Sequence, residues 1–183
     1  MFELSKTEFL LLKKLNTPEK IQDFLDLLPI NYEKNGDTCM SPRMLLKARK
    51  AHCIEGAMLA AVALWLQGER PLVLNLKVKE GRGDFDHIVA LYKQNGYWGA
   101  ISKTNHSILR FRDPIYRTIR ELALSYFHEY FLIKCGTKTL QGYSKPIDLR
   151  QFGTTWITSD QDLWNIGNMI YKMPITRIVP DKN

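Results

Sequence analysis

One apolar segment near the middle of the chain constrains the fold more than any other feature. Residues 51–66 have the sequence AHCIEGAMLAAVALWL, and the ten residues 57–66 are all Ala, Met, Leu, Val or Trp. A helix that is apolar on every side is enclosed by protein instead of lying at the surface. The sequence therefore predicts a central helix around which the rest of the chain is arranged.

The predicted start of this helix carries Cys53. Unpaired backbone N–H groups and the positive end of the helix dipole favour a thiolate at such a position. Cys53 is therefore a candidate nucleophile, although a free cysteine also commonly packs as a small buried hydrophobe. Glu55, in the first turn, is expected to favour the helix dipole. His52 is expected either to be exposed or to line a cleft and donate to an oxyanion.

Length and composition indicate one globular domain spanning residues 1–183. The chain is 45% hydrophobic and 25% charged, which is ordinary for globular proteins. Its first residues lack a signal-peptide pattern, and no apolar run reaches the roughly 20 residues that span a bilayer. Its three cysteines form no CxxC pair, which argues against a disulfide framework or a structural zinc site. We expect a soluble, cytoplasmic protein that does not bind a membrane.

The net charge of +7 raises the question of an acidic partner. Basic residues gather in two groups, Arg43, Lys47, Arg49 and Lys50, then Arg110, Arg112, Arg117 and Arg120. Spacings of three and four residues are typical of one solvated helix face, and no nucleic-acid-binding motif accompanies them. We therefore do not expect a nucleic acid partner, for which binding would depend steeply on salt.

Capping signals predict three helices ahead of the central one. Ser5 with Glu8 forms a capping box, and Thr17-Pro18 and Ser41-Pro42 each place a cap before proline. Later signals predict a long helix from Thr118 to about residue 136, a helix capped by Asp160 and a last strand at residues 175–179.

Between these helices the hydrophobic period becomes that of strands. Strands are predicted at 72–78, 87–92 and 97–102, and Asn95-Gly96 between the last two is a strong hairpin signal. The predicted fold class is therefore α+β, with a buried central helix packed on an antiparallel sheet and flanked by amphipathic helices.

This order of parts, a helix opened by Cys53 and then a hairpin whose first strand begins with His87, resembles the transglutaminase-like branch of the papain-like fold. In that family the cysteine is the nucleophile, the histidine is the base, and a carboxylate or amide on the next strand orients the imidazole. The resemblance covers about residues 41–105, and it implies that Cys53 attacks and His87 accepts the proton. Such a pair needs no cofactor, and none is expected.

The third catalytic position has two candidates. Aligning Trp98 with an aromatic residue of the family places Ser102 where an aspartate is usual, and the nearest amide is Asn105. The resemblance implies acyl transfer or amide hydrolysis on a peptide, a protein or a small amide. The alternative is an inactive member of the family that binds a peptide or protein partner through the same cleft, and the absence of aspartate supports that alternative.

A metal site is the remaining possibility for this region. Asp84, Asp86, His87 and His106 are potential ligands. Adjacent strand residues point to opposite faces, so Asp86 and His87 do not easily share a site. No metal is therefore expected.

Overall fold

The computed structural model describes residues 2–33, 36–81 and 83–180. Those residues form six α-helices and seven β-strands, which agrees with the predicted α+β class. The helices are α1 (Lys6–Lys14), α2 (Pro18–Leu27), α3 (Pro42–Ala48), α4 (Cys53–Leu66), α5 (Ile119–Phe127) and α6 (Trp164–Lys172). The strands are β1 (Leu72–Val78), β2 (His87–Gln94), β3 (Tyr97–Ile101), β4 (Arg112–Tyr116), β5 (Leu140–Ser144), β6 (Ile147–Asp148) and β7 (Ile175–Arg177).

The strands form one open sheet in the order β4-β3-β2-β1-β5-β7, with β6 also paired to β1, and every pairing is antiparallel. The turn between β2 and β3 has positive φ at both Asn95 (51°) and Gly96 (87°). Two such residues are what a type I′ hairpin turn requires, and this confirms the predicted hairpin. The start of β2 and the end of β3 consequently lie at the same edge of the sheet.

The central helix is enclosed as predicted. Every residue of α4 from Ile54 to Leu64 is buried. The side chains of Val73, Ile88 and Ala90 alternate onto the sheet face that shares a core with α4. The opposite face, with Leu74 and Val89, shares a second core with α5. The sheet is therefore covered on both faces.

The predicted caps form at α1, α2 and α3, where the side chains of Ser5, Thr17 and Ser41 each accept a backbone N–H from the first turn. The predicted start of α6 is wrong. The carboxylate of Asp162 accepts the backbone N–H of Cys39 at 2.9 Å, and Leu163 N–H donates to the Cys39 carbonyl at 2.7 Å. These contacts hold the segment before Trp164 out of the helix.

The expected length of α5 is also wrong, because the helix ends at Phe127 and not near residue 136. Residues 130–139 fold back on themselves instead, with Thr139 N–H donating to the Tyr130 carbonyl at 3.2 Å. The second basic group is not a helix face either, since Arg112 lies in β4. That strand contains Pro114, which an edge strand tolerates and a helix interior does not.

Among the described residues, no helix has both the length and the apolar character needed to cross a membrane.

Candidate functional site

Cys53 is the first residue of α4 and lines a cleft of about 730 Å³. Its side chain is partly exposed, whereas Cys39 is fully buried and Cys135 is exposed. Burial, together with the charges of Glu55 and Asp162, raises the pKa of Cys39 to about 12. Cys53 therefore differs from Cys39 in being both accessible and placed at a helix N-terminus.

His87 lies at the start of β2, is 6% exposed and lines the same cleft. Its Nε2 atom is 2.6 Å from the hydroxyl oxygen of Ser102, which is fully buried just after β3. The ring also interacts with the Cys53 thiolate. Cys53 and His87 thus line one cleft, and Ser102 lies against the ring of His87.

Asn105, the other candidate for the third position, is exposed on the cleft wall. It stands three residues beyond Ser102, after the end of β3. The group that contacts the ring of His87 is the hydroxyl of Ser102 and not the Asn105 amide. Asn105 therefore lies in the cleft but apart from the Cys53, His87 and Ser102 cluster.

Helix α2 fixes the position of Ser102. The side-chain amide of Gln22 accepts the Ser102 N–H at 2.9 Å and donates to the Ser102 carbonyl at 2.9 Å. The next residue, Lys103, is 4% exposed, and its ammonium donates to the carbonyls of Leu25 (2.8 Å) and Leu28 at the end of α2. A cation at the last carbonyls of a helix is favourable, so the end of β3 is bound to α2 by two residues in succession.

Gly56 allows this segment to approach α4. A Cβ atom at position 56 would lie 2.4 Å from the Cβ of Lys103, closer than two such atoms come in practice. Any larger residue would therefore push Lys103, and with it Ser102, away from the start of α4. The glycine three residues after Cys53 is thus part of the site, although it bears no functional group.

His52, the residue before Cys53, is a second histidine at the thiol. It lines the cleft, and its ring interacts with the Cys53 thiolate. The Nε2 atom of His52 is 2.9 Å from the Thr38 carbonyl oxygen. The same atom is 3.2 Å from Glu33 Oε1 and 3.4 Å from Glu55 Oε1. His52 therefore faces two carboxylates, a contact that its sequence position did not reveal.

Glu55 holds this arrangement from inside the protein. Its carboxylate is fully buried and accepts the backbone N–H of His52 at 2.9 Å. It also accepts the Thr38 hydroxyl at 2.8 Å and the Met40 N–H at 3.0 Å. Glu55 was expected to act on the helix dipole. Its carboxylate also connects the segment before α3 to the start of α4.

Opposing effects set the pKa of the thiol. Burial raises the pKa of Cys53, but hydrogen bonds from the rings of His52 and His87 and their positive charge outweigh it and lower the pKa to about 6. Burial lowers the pKa of His52, but its hydrogen bond to Cys53 and the charge of Glu55 raise it to about 9. Between these values the stable form is a thiolate beside an imidazolium.

No group of three or more His, Cys, Asp or Glu side chains within the described residues is arranged to hold a metal ion. Asp86, one of the potential ligands, instead accepts the Val78 N–H at 3.0 Å and pairs with Lys77 at 3.0 Å.

Comparison of the chain with protein-family models and with curated proteins finds no match. A proposal for the function therefore depends on the geometry of the site.

Proposed function

We propose that the protein is a cysteine-dependent acyltransferase or amide hydrolase of the transglutaminase-like type, with Cys53 as nucleophile. The observation that carries the proposal is that Cys53, at the start of a buried helix, lines one cleft with His52 and His87, whose rings lower the pKa of its thiol. A lowered thiol pKa beside a histidine in a cleft is typical of catalytic cysteines.

The proposed reaction proceeds through a thioester. The Cys53 proton passes to an imidazole, and the thiolate attacks the carbonyl carbon of an amide or ester. Backbone N–H groups at the start of α4 stabilise the oxyanion. The leaving amine or alcohol takes the proton from the imidazolium. Water or a second amine then attacks the thioester carbon, gives a proton to the imidazole and releases the Cys53 thiolate. Ser102 accepts the Nε2–H of His87 and so keeps the other ring nitrogen directed to the chemistry.

The proposal extends to the fold family, the cellular setting and the substrate. A transglutaminase-like fold, a cytosolic setting and a peptide, protein or small-amide substrate all rest on the resemblance over residues 41–105 and on the Cys53 site. The rival is an inactive scaffold that binds a partner through the cleft. The two differ in one measurable property, the reactivity of Cys53.

Alkylation by iodoacetamide tests the proposal. At pH 6.5 a thiol of pKa about 6 is mostly thiolate, whereas an ordinary thiol of pKa about 8.5 is about 1% thiolate. Since nucleophilicity falls with pKa, we expect Cys53 to react roughly fivefold faster at pH 6.5 than a short cysteine peptide of ordinary thiol pKa, and the two rates to cross at about pH 7.4. Mass spectrometry should locate the label on Cys53 before Cys135 and before Cys39.

The pH profile separates the enzyme from the scaffold. The rate at Cys53 should rise around pH 6, because protonation below that value removes the thiolate. A single rise near pH 8.5, or equal labelling of all three cysteines, would contradict the proposal.

A further inference from the structure

Large apolar side chains stand exposed around the cleft that contains Cys53. Phe85 is 83% exposed and Ile133 is 79% exposed, and both line the cleft together with Ile108 at 41%. Single exposed apolar residues are ordinary, but a group of them around a cleft marks a binding surface. The volume of about 730 Å³ lies within the roughly 300–1,000 Å³ of small-ligand sites.

Ile133 owes its exposure to a folded turn. Residues 130–139 pair with themselves, since Leu132 N–H donates to the Thr137 carbonyl at 3.0 Å and Gly136 N–H donates to the Leu132 carbonyl at 2.8 Å. An isolated bridge between Phe131 and Lys138 extends this pairing. We call this segment the 130–139 hairpin, and it holds Ile133 outward near its tip.

Phe85 is fixed against the same hairpin. The hydroxyl of Tyr130 donates to the Phe85 carbonyl, and the hydroxyl of Thr139 donates to the carboxylate of Asp84. The loop that carries Phe85 and the hairpin that carries Ile133 are therefore joined by two side-chain hydrogen bonds. Apolar groups held in place in this way bind a ligand without a large ordering cost.

The charged residues of the cleft do not select a charged ligand. Asp84 and Asp86 accept hydrogen bonds from neighbouring groups of the protein, and the Lys103 ammonium is directed to the carbonyls of α2. Among the described residues of the cleft wall, His52 is paired with carboxylates of the protein, and Glu129 and Lys134 are exposed and opposite in sign.

We propose that the cleft takes an acyl donor with a bulky apolar side chain, aromatic or branched aliphatic, close to the carbonyl that Cys53 attacks. This inference rests on the proposed function, because it assigns the ligand of the same site. Phe85 and Ile133 contact the apolar side chain and set the preference.

Four electrophilic probes of one design test the preference, namely the N-acetyl chloromethyl ketones of Phe, Ala, Asp and Lys. The rate of Cys53 alkylation by each is divided by the rate with iodoacetamide, which has no side chain. The Phe probe should exceed the Asp and Lys probes by about tenfold or more, as expected for an apolar pocket. In Phe85→Ala and Ile133→Ala proteins, each normalised to its own iodoacetamide rate, this advantage should fall by roughly threefold or more.

Leu27→Ala is the matched control, because Leu27 is also 83% exposed but lies on α2 outside the cleft. This variant should keep the full preference for the Phe probe. Equal normalised rates for the four probes would overturn the assignment of the ligand while leaving a reactive Cys53 in place. A Cys53 that is no faster than the short cysteine peptide with iodoacetamide at pH 6.5 would overturn the proposed function, and the inference with it.

Discussion

The two histidines that reach Cys53 lie in opposite electrostatic surroundings. The Nε2 atom of His52 faces Glu33 and Glu55, whereas the Nε2 atom of His87 meets the neutral hydroxyl of Ser102. A carboxylate stabilises an imidazolium through its charge, and a hydroxyl accepts the N–H without adding charge. The two carboxylates therefore favour a positive charge on His52, whereas the hydroxyl of Ser102 adds no charge beside the ring of His87.

This comparison also bears on whether a serine in place of aspartate at position 102 excludes an active site. The family resemblance leads one to expect an aspartate beside His87, and its absence supports an inactive scaffold. The structure supplies negative charge instead on the side of His52, through a buried glutamate three residues along the same helix. A thiolate can therefore be stabilised here without an aspartate at position 102.

The largest expected effect is on the stability of the fold, and it comes from a charge placed inside α4, the central helix that begins at Cys53. Ala61 is fully buried in α4, so Ala61→Asp introduces an unpaired carboxylate into the core at a cost of several kcal/mol. We expect unfolding, or a large drop in melting temperature, followed by circular dichroism. Leu27→Asp adds the same charge at an exposed position and should leave the melting temperature nearly unchanged. An Ala61→Asp protein as stable as the Leu27→Asp protein would contradict the burial of α4.

The next largest effect compares how strongly each histidine lowers the pKa of Cys53. His52→Gln leaves the thiolate beside two carboxylates without their cation, so the pKa of Cys53 should rise from about 6 to about 8.5 or above. His87→Gln should raise it by about one unit or more, but by less than His52→Gln. Absorbance near 240 nm, measured against pH with Cys39 replaced by Ala and Cys135 by Ser, reports the thiolate.

His106→Gln is the control for this ranking. His106 is exposed and lines the same cleft, so its loss should not change the titration. If His87→Gln gives the larger shift, the resting charge belongs to His87 and the comparison is reversed. A titration indifferent to both substitutions would favour the scaffold.

The smallest effect separates the two candidates for the third position. Ser102→Ala removes the hydroxyl at 2.6 Å from His87 and should raise the pKa of Cys53 by less than about one unit, since the serine acts on the thiol only through the ring. Asn105→Ala should leave the same titration unchanged. The opposite order would show that Asn105 turns into the site and would restore it as the orienting residue.

The sequence alone predicted those elements whose signals are local. The capped starts of α1 to α3, the burial of α4 and the Asn95-Gly96 hairpin each depend on a few adjacent residues. The hairpin in turn places His87, at the start of β2, and Ser102, just after β3, at one edge of the sheet.

Distant contacts decided the features that the sequence did not reveal. The spacing of Tyr126, Phe127 and Tyr130 fits a helix, but the hydroxyl of Tyr130 binds the Phe85 carbonyl and the chain leaves α5 at Phe127. Glu33 belongs to an irregular segment, where no periodicity indicates that its carboxylate reaches His52. Gly56 lies only three residues after Cys53, but the need for a glycine there depends on the distant residue Lys103, which packs against it.

The attachment of the end of β3 to α2 has a consequence for how the site responds to heat. Gln22 holds Ser102 through its backbone, and Lys103 holds the last carbonyls of α2. A surface helix is released from the structure more easily than the central strands of a sheet. We therefore expect partial heating that frees α2 to withdraw Ser102 from His87 while β1 and β2 stay paired, so that the ring loses its contact before the fold melts.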